Sequence, residues 1–581
     1  MKKLSVRFTA ALAALSVALC FVLPAFMQQA AAAELKPVLT VKLASLETFA
    51  EAGTKIAELA GYKEQWNEIL AQIESLEGVN TKNPFWLVLR SDGNEIKAPI
   101  LYLPIDDFDK LNLPIADALK SDLKDDGKGG LRLNSPFGLF VAVKKKGAYV
   151  ITLQEYIKDL PDDPNTFIAG LEKYLLGVKV EFANTSEQSI QNALAPIQMI
   201  AAIQNPDSAE PIEQLVKTLL EFHKQAASVS FGLIFNAGSA DLEIETALVP
   251  RKDSDIAKQL KEIQQFKSAF NGFTFSDKET VFSANNVQYI DDAALKALEE
   301  GFKTFSTGAL AQLEENEDID EDTLEIAENY LILIKDTATA VLTKGINNAA
   351  GALSSDGILI GAVNVNDTGK INEFFKQSFE VIKKTIFKND ESAAGEADEL
   401  LKKYGKKDAK TIADFKVSSL IVPLNELKDK EQLPKVLKNK TFTAYWAVKE
   451  NTAVAFAAGF DEQKTEKAFT EALEAAKKPD AAKAPQAVFA LRPLGVLLKN
   501  YGIDGTGDKA KLITDALIAS GSNAKVTVSV DTKADSINSR IAVSGSTVAA
   551  LAKLIKIFQQ EDAVQDGAAG RTLERKTITD F

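Results

Sequence analysis

The chain is short of the residues that most often carry chemistry. Among 581 residues stand one cysteine, one histidine, three methionines and three tryptophans. The cysteine, Cys20, falls in the leader described below, so the mature chain has none. Disulfides and cysteine-dependent catalysis are thereby excluded, and cohesion has to come from core packing. With one His and no Cys, zinc sites built on those ligands are excluded as well. Beyond the first 33 residues there is no apolar run long enough to read as a membrane-spanning helix. Basic charge is in deficit: 67 Lys and Arg stand against 81 Asp and Glu, a formal net charge of −14. An acidic surface repels phosphate backbones, so nucleic acid is not an expected partner.

What is present is a globular composition, 46% apolar and 25% charged, over a length that calls for two domains or more. Lys2, Lys3 and Arg7, then the apolar Ala10 to Leu23, then Ala30 to Ala33 read as a signal peptide cut between Ala33 and Glu34. Its apolar part is shorter than the ~20 residues of a bilayer span. Leu19 precedes Cys20 where lipid attachment wants a small residue. The expectation is a bacterial-style exported protein of the periplasm, cell envelope or exterior.

The most informative stretch is Phe137 to Thr152, FGLFVAVKKKGAYVIT, because Phe442 to Ala457, FTAYWAVKENTAVAFA, echoes it without a gap. Both read as strand, polar turn, strand. LYLPIDDF from Leu101 is echoed by LIVPLNEL from Leu420, a strand stopped by proline. A helix carrying Phe167 and Leu171 is set against one carrying Phe469 and Leu473. Phe231, Leu233 and Phe235 are set against Val526, Val528 and Val530. Residues of about 99–265 thus read as repeated at 418–558, with Thr339 to Phe379 a further partial copy. The period is far above that of solenoids, which implies domain duplication.

The predicted architecture is α+β, two related lobes of antiparallel hairpins with packed helices. Its divisions are a signal peptide at 1–33, a first lobe at 34–275, a helical acidic connector at 276–335, a second lobe at 336–558 and a flexible tail at 559–581. Ser45 is the expected cap of an early helix, and a second helix is expected near 63–76. The LPIDDF stretch from Leu103 and FVAVKKKGAYVIT from Phe140, with their echoes, resemble a group of large exported, internally duplicated α+β proteins of planctomycete-type bacteria. That resemblance implies an exported scaffold and transfers no active residues.

Each candidate for chemistry has a plain structural reading beside it. His223 sits near a helix end, where the dipole favours it without any function. Asp318, Asp320 and Asp322 have the spacing of a calcium loop, but Thr323 replaces the sharp-turn glycine and Asn329 the bidentate Glu. Ser121 with Lys124, and Ser522 with Lys525, match Ser-x-x-Lys without the companion motifs of penicillin-recognising enzymes. Gly505, Gly507 and Ala510 fit a dinucleotide fingerprint, with Asp531 downstream, in a helical context that is wrong for it. Tyr149, Trp86 and Trp446 are candidates for an apolar cleft, although Trp446 replaces Val141 in the echo and so reads as core. No catalytic, metal or cofactor site follows, and no cofactor is expected. The leading expectation is a non-enzymatic binding or structural protein of the envelope, with a protein or small molecule held between the lobes. A carboxylate-dependent secreted hydrolase and a lipid or small-molecule carrier are the alternatives.

Overall fold

The computed structural model describes residues 35–569 apart from 112–122, 126–129, 136–137, 193–216, 218–219, 315–323, 325–327, 336–340, 374–398, 400–401, 428–434, 482–485, 503–507 and isolated positions. The expected leader and its Ala33–Glu34 junction lie outside those residues. Along the chain come β1 (Lys36–Leu43), α1 (Leu46–Ala60), α2 (Lys63–Glu74), β2 (Phe85–Ser91) and β3 (Ile100–Leu103). Then follow β4 (Leu123–Asp125), β5 (Gly130–Ser135), β6 (Gly138–Lys145), β7 (Ala148–Leu153), β8 (Leu176–Val180), β9 (Ala226–Asn236), β10 (Asp241–Pro250) and α3 (Asp255–Gln265). Next are β11 (Lys267–Ser268), β12 (Thr280–Ile290), α4 (Asp292–Glu314), β13 (Gly345–Ser354), β14 (Leu359–Asn364), β15 (Gly405–Ile412) and β16 (Phe415–Pro423). The last group is β17 (Thr441–Lys449), β18 (Ala453–Gly459), α5 (Glu462–Ala475), β19 (Asp480–Ala481), β20 (Gln486–Ala490), α6 (Leu491–Asn500), α7 (Asp508–Ala519), β21 (Lys525–Thr532), β22 (Ile537–Val543) and α8 (Gly545–Ala569). The α+β class is as expected.

Two compact units emerge. One holds the residues up to Lys258 together with Thr532–Ala552, the other Gln259–Asp531 and the residues from Lys553 onward. In the first, the strand order is β4-β5-β6-β7-β3-β2-β1-β8-β9-β10-β22, every neighbour antiparallel. In the second it is β15-β16-β17-β18-β14-β13-β12-β20-β21, again antiparallel throughout. The chain takes the same route in both: β12 stands where β1 stands, β13 and β14 where β2 and β3 stand, and β20 and β21 where β8 and β9 stand.

That common route corrects several details of the sequence reading. LYLP lies on β3 and LIVP on β16, which occupy different places in the path. Ile358 to Ile360 belongs to the β13–β14 hairpin of the second unit and not to a third copy. Within the stretch read as a helical connector, Thr280–Ile290 is a strand paired on both edges, and only then does α4 begin. Phe167 sits in a short 3-10 turn, Pro164–Ile168, and Gly170 at φ 84° follows before Leu171, so no helix matches α5 there. At the far end α8 is helical through Ala569, where a flexible tail is expected from 559. Its alanines, the strongest helix formers, account for the difference.

The echoed hairpin also shifts. In the first unit Lys145 pairs with Ala148 around the two-residue turn Lys146-Gly147, with φ of 47° and 75°. Positive φ at both positions is the geometry of a tight hairpin turn. In the second unit Lys449 pairs with Ala453, so the turn holds three residues, Glu450 to Thr452. The gapless comparison is therefore one residue out along the incoming strand, and one residue reverses the face. Trp446 takes the place of Ala142, not of Val141.

Local rules explain most element ends. Ser45 accepts a hydrogen bond from Thr48 N–H at 3.1 Å, and Gly61 at φ 71° closes α1. In the first unit the core forms on the face carrying Trp86, Val88, Ile100, Tyr102 and Val150, with Ile168 and Leu160 packed on it. Lys42 is buried on β1, where its ammonium donates to the carbonyls of Glu172 and Tyr174 and so pins that loop to the sheet. Burial pushes its pKa down.

Tyr174 in turn lies flat on Gly232 of β9, and its hydroxyl donates to Glu245 at 3.1 Å. A methyl at position 232 would fall inside the ring. Gly232→Ala should therefore cost about 1–3 kcal/mol in urea unfolding, the usual penalty of overpacking. An unchanged midpoint would show that the ring is not held there.

Candidate functional site

An antiparallel sheet usually shows one apolar and one polar face. The second unit departs from that rule. On one face Ala352, Ile360, Phe415, Val417 and Tyr445 are buried beneath Phe469 and Leu473 of α5, with the Tyr445 and Phe469 rings stacked at 5.8 Å. This is its core. Because side chains alternate strictly along a strand, the intervening residues occupy the opposite face, and most of them are apolar too.

Register fixes that second face in rows. Leu359, Leu353, Phe282, Phe489 and Val526 are direct partners across β14, β13, β12, β20 and β21. The next row runs Trp446, Phe456, Gly361 and Gly351, then Ala284, Ala487 and Val528. Phe456 lies across Gly361, where an added methyl would meet its ring at 2.6 Å. Phe282, Leu359, Phe489, Val528 and Phe456 are 37% to 42% exposed. Large apolar side chains are not usually left contiguous and open in this way.

The face is bordered on two sides. At one end of the strands Phe442 meets Phe460, and Phe460 meets Tyr501 at the end of α6, with ring centroids 5.8 and 5.6 Å apart. The Tyr501 hydroxyl donates to the Asp356 carbonyl at 2.5 Å, and burial raises its pKa. At the other end Val448, Val454 and Val363, paired in register, are covered by Val341, Val365 and Ile371. The face is therefore apolar across its middle rows and at both ends of its strands.

The candidates from sequence gather into no comparable site. Asp318, Asp320 and Asp322 lie outside the described residues, as do Ser121, Gly505 and Gly507. Ser522 stands in the exposed turn before β21, and Lys525 opens that strand. Ala510 is in α7, which comes after α6 rather than after a strand, so the dinucleotide context is not formed. Trp86 is buried and stacked on Tyr102 at 4.9 Å, while Tyr149 packs edge-on to Phe108 on the opposite face of their sheet. Only Trp446 of the three aromatic candidates reaches an open apolar surface, and the one-residue slip had placed it in the core.

His223 is buried between Phe182 and the end of its helix. Its Nε2–H donates to the Thr185 carbonyl at 3.0 Å, and Arg251 donates to the His223 and Phe182 carbonyls at 2.9 Å each. The imidazole and guanidinium together tie the turn at 182–185 to the start of β9, which is structural work. Among the described residues no group of three or more His, Cys, Asp or Glu is placed to hold a metal ion. Glu243 and Glu245 of β10 face one side of the sheet, but Arg540 takes the first and Lys173 and Tyr174 take the second. A cleft of about 780 Å³ between α1 and α2 is lined by Glu47, Glu51, Glu58 and Glu74 with Lys55 and Thr54. It is open, and its carboxylates line a wide cleft without converging on a point.

No known family, curated protein or solved structure matches the chain.

The most strongly perturbed acid serves the β2–β3 turn. Burial opposes the charge on Asp92, but Lys97 Nζ at 2.7 Å and the N–H groups of Glu95 and Asn94, both at 2.9 Å, outweigh it. Its carboxyl is held down at about 2, against an ordinary 3.8. Since the folded value is the lower one, the charged form stabilises the fold above pH 3.8, and that contribution disappears as pH falls through about 2. Asp92→Asn should therefore be less stable than the parent at neutral pH, with the gap closing between those two values. Denaturant titrations across that range read the gap, and a constant gap would contradict the assignment.

Proposed function

We propose that the protein is a non-enzymatic binding protein that holds an apolar small molecule on the open face of its second unit. The observation that carries this reading is the block of five large apolar side chains, fixed in register and more than a third exposed, on the face turned away from the core. Such a patch marks a surface that something covers in the working state. Of the classes considered from sequence, carrier fits this geometry better than hydrolase, because the paired glutamates of β10 are already occupied by cations and a tyrosine hydroxyl.

The reading extends to origin and place. The two units are taken as diverged copies, and the shared strand route from β1 to β9 and from β12 to β21 supports this. Export is taken from the basic and apolar leader with its alanine run. Among the described residues no helix is long and apolar enough to cross a membrane. A strongly acidic surface suits a carrier that must stay soluble with an apolar face exposed.

Native mass spectrometry of the purified full chain tests the proposal. The expected spectrum shows a noncovalent adduct that organic extraction removes. Phe489→Glu, which places a charge directly opposite Phe282, should abolish the adduct and, because Phe489 is only 39% exposed, cost about 1–2 kcal/mol in urea unfolding while leaving the chain folded. A parent protein free of adducts that also fails to bind a hydrophobic fluorescent dye would falsify the reading.

A further inference from the structure

The second unit leaves a helix as bare as its sheet. In α4 the apolar residues Leu295, Leu298, Phe302, Phe305 and Ala309 recur at alternate steps of three and four and so form one stripe. Lys296, Glu300 and Lys303 stand on the other side. Leu298 is 46% and Phe305 64% exposed. A helix in a folded protein normally owes its stability to packing such a stripe. The first unit shows where it belongs. There α1 takes the same place in the chain, after β1 as α4 is after β12. Its Ala52 joins Ala44 and Leu175 in a buried cluster, against which Leu233 and Phe235 of β9 pack. By register Leu233 is in line with Leu176, Leu43 and Phe85, on the sheet face turned away from Trp86. In both units the core face is the one covered by the segment after the echoed hairpin, so the opposite faces correspond. On that face α1 is packed down, and α4 is not.

Resting on the binding reading above, we infer that α4 is a hinged lid that folds onto the open face of its own unit and encloses the ligand there. The hinge is Asp291, between the buried Ile290 and the first turn of the helix. Its carboxylate accepts from Ala294 N–H at 2.8 Å and from the Gln259 side chain at 3.0 Å. The side on which the chain comes back is already set, because Val341 packs on Val363 and Val454 of that face before β13 begins. Lengths agree. From Asp292 to Phe305 is ~20 Å of helix, and from Ile290 back to Ala284 is ~20 Å of strand. Laid along β12, Phe305 therefore comes level with Ala284 and its partners Gly351 and Ala487, a row of small residues. Ala309, ~26 Å along the helix, comes level with Phe282, ~26 Å back along the strand. The largest side chain of the stripe thus meets the lowest row of the sheet. Over the taller row of Leu359, Leu353, Phe282 and Phe489 the helix offers only Ala309, which leaves room for a ligand between them.

The experiment uses the full chain with Cys20→Ser, which leaves no native thiol. Ala309→Cys is combined with Ala487→Cys on the small row, and Ala311→Cys, on the opposite side of α4, is the control partner for the same Ala487→Cys. With a short bis-maleimide the first pair should cross-link ~10-fold faster than the second, a gain in effective concentration. Phe305→Ser should speed release of a bound hydrophobic fluorescent dye ~10-fold, since a lost contact shows mainly in the off-rate. Circular dichroism melting of each variant checks that it is folded. Equal cross-linking of the two pairs, or dye release untouched by Phe305→Ser, would overturn the lid and leave the apolar-ligand reading standing. A parent protein that binds no dye while the first pair still cross-links faster would sink that reading alone, with α4 closing on an empty face.

Discussion

Each inner strand of the second unit is pinned between two antiparallel neighbours, and that pinning decides which side chains face the core and which do not. Because alternation along a strand has a period of two, no side chain on β12, β14, β17 or β18 can change face without moving its whole strand by a residue. Ala447, Ala455 and Ala457 are buried on one side, so Trp446, Phe456 and Ala458 must stand on the other. The second apolar face is therefore a consequence of the core. A sequence apolar at consecutive positions along β14, β17 and β18 satisfies the core with half of its residues and leaves the rest to make a second apolar surface.

Much of the architecture can be read from the chain because it depends on local periodicity. Alternation found β1, β2, β3, β8, β9 and β21, and Ser45 announced α1 through a side-chain cap whose geometry is confined to one turn. Register was the harder matter. The echo between Phe137 and Phe442 is real at the level of strand, turn and strand, yet the turns differ by one residue. Aligned sequences show residue identity, whereas the pairing of Lys145 with Ala148 and of Lys449 with Ala453 is set by turn geometry. The slip moved Trp446 from an open face into an imagined core. In the same way, proline after a short strand is a general stop signal, which is why LYLP and LIVP resemble each other from different places in the path.

The site was out of reach for a further reason. A row such as Phe282, Phe489 and Val526 draws on segments more than 200 residues apart in sequence, and each residue alone looks like an ordinary core position. Apolar runs on strands are normally a sign of cover on both faces. Whether the second cover is protein or ligand is not encoded in the run itself. Several described residues with conspicuous chemistry are engaged in holding the scaffold instead. His223 ties a turn, Lys42 pins a loop, and Asp92 with Lys97 closes a hairpin. In a chain with so little His and Cys, unusual residues attract attention first, and here they hold the scaffold.

Leaving Phe282, Leu359, Phe456, Phe489 and Val528 open to water has an energetic meaning. Full burial of such side chains is worth about 1.5–3 kcal/mol each, comparable in sum to the whole stability of a domain. With these side chains 37% to 42% exposed, the fold forgoes about two fifths of that gain and keeps the face rigid through main-chain pairing on both edges of every inner strand. Gly361 and Gly351 show the same preference. Glycine weakens a strand interior, yet Gly361 is where Phe456 can lie flat on the sheet. A surface of this kind is stiff before anything binds, so a ligand gains the apolar contact without the entropy of ordering the floor. Apolar exposure and a backbone that cannot collapse to hide it are two separate departures from what stability alone would favour. They coincide on one face, which is why function is sought there and not among the titratable residues.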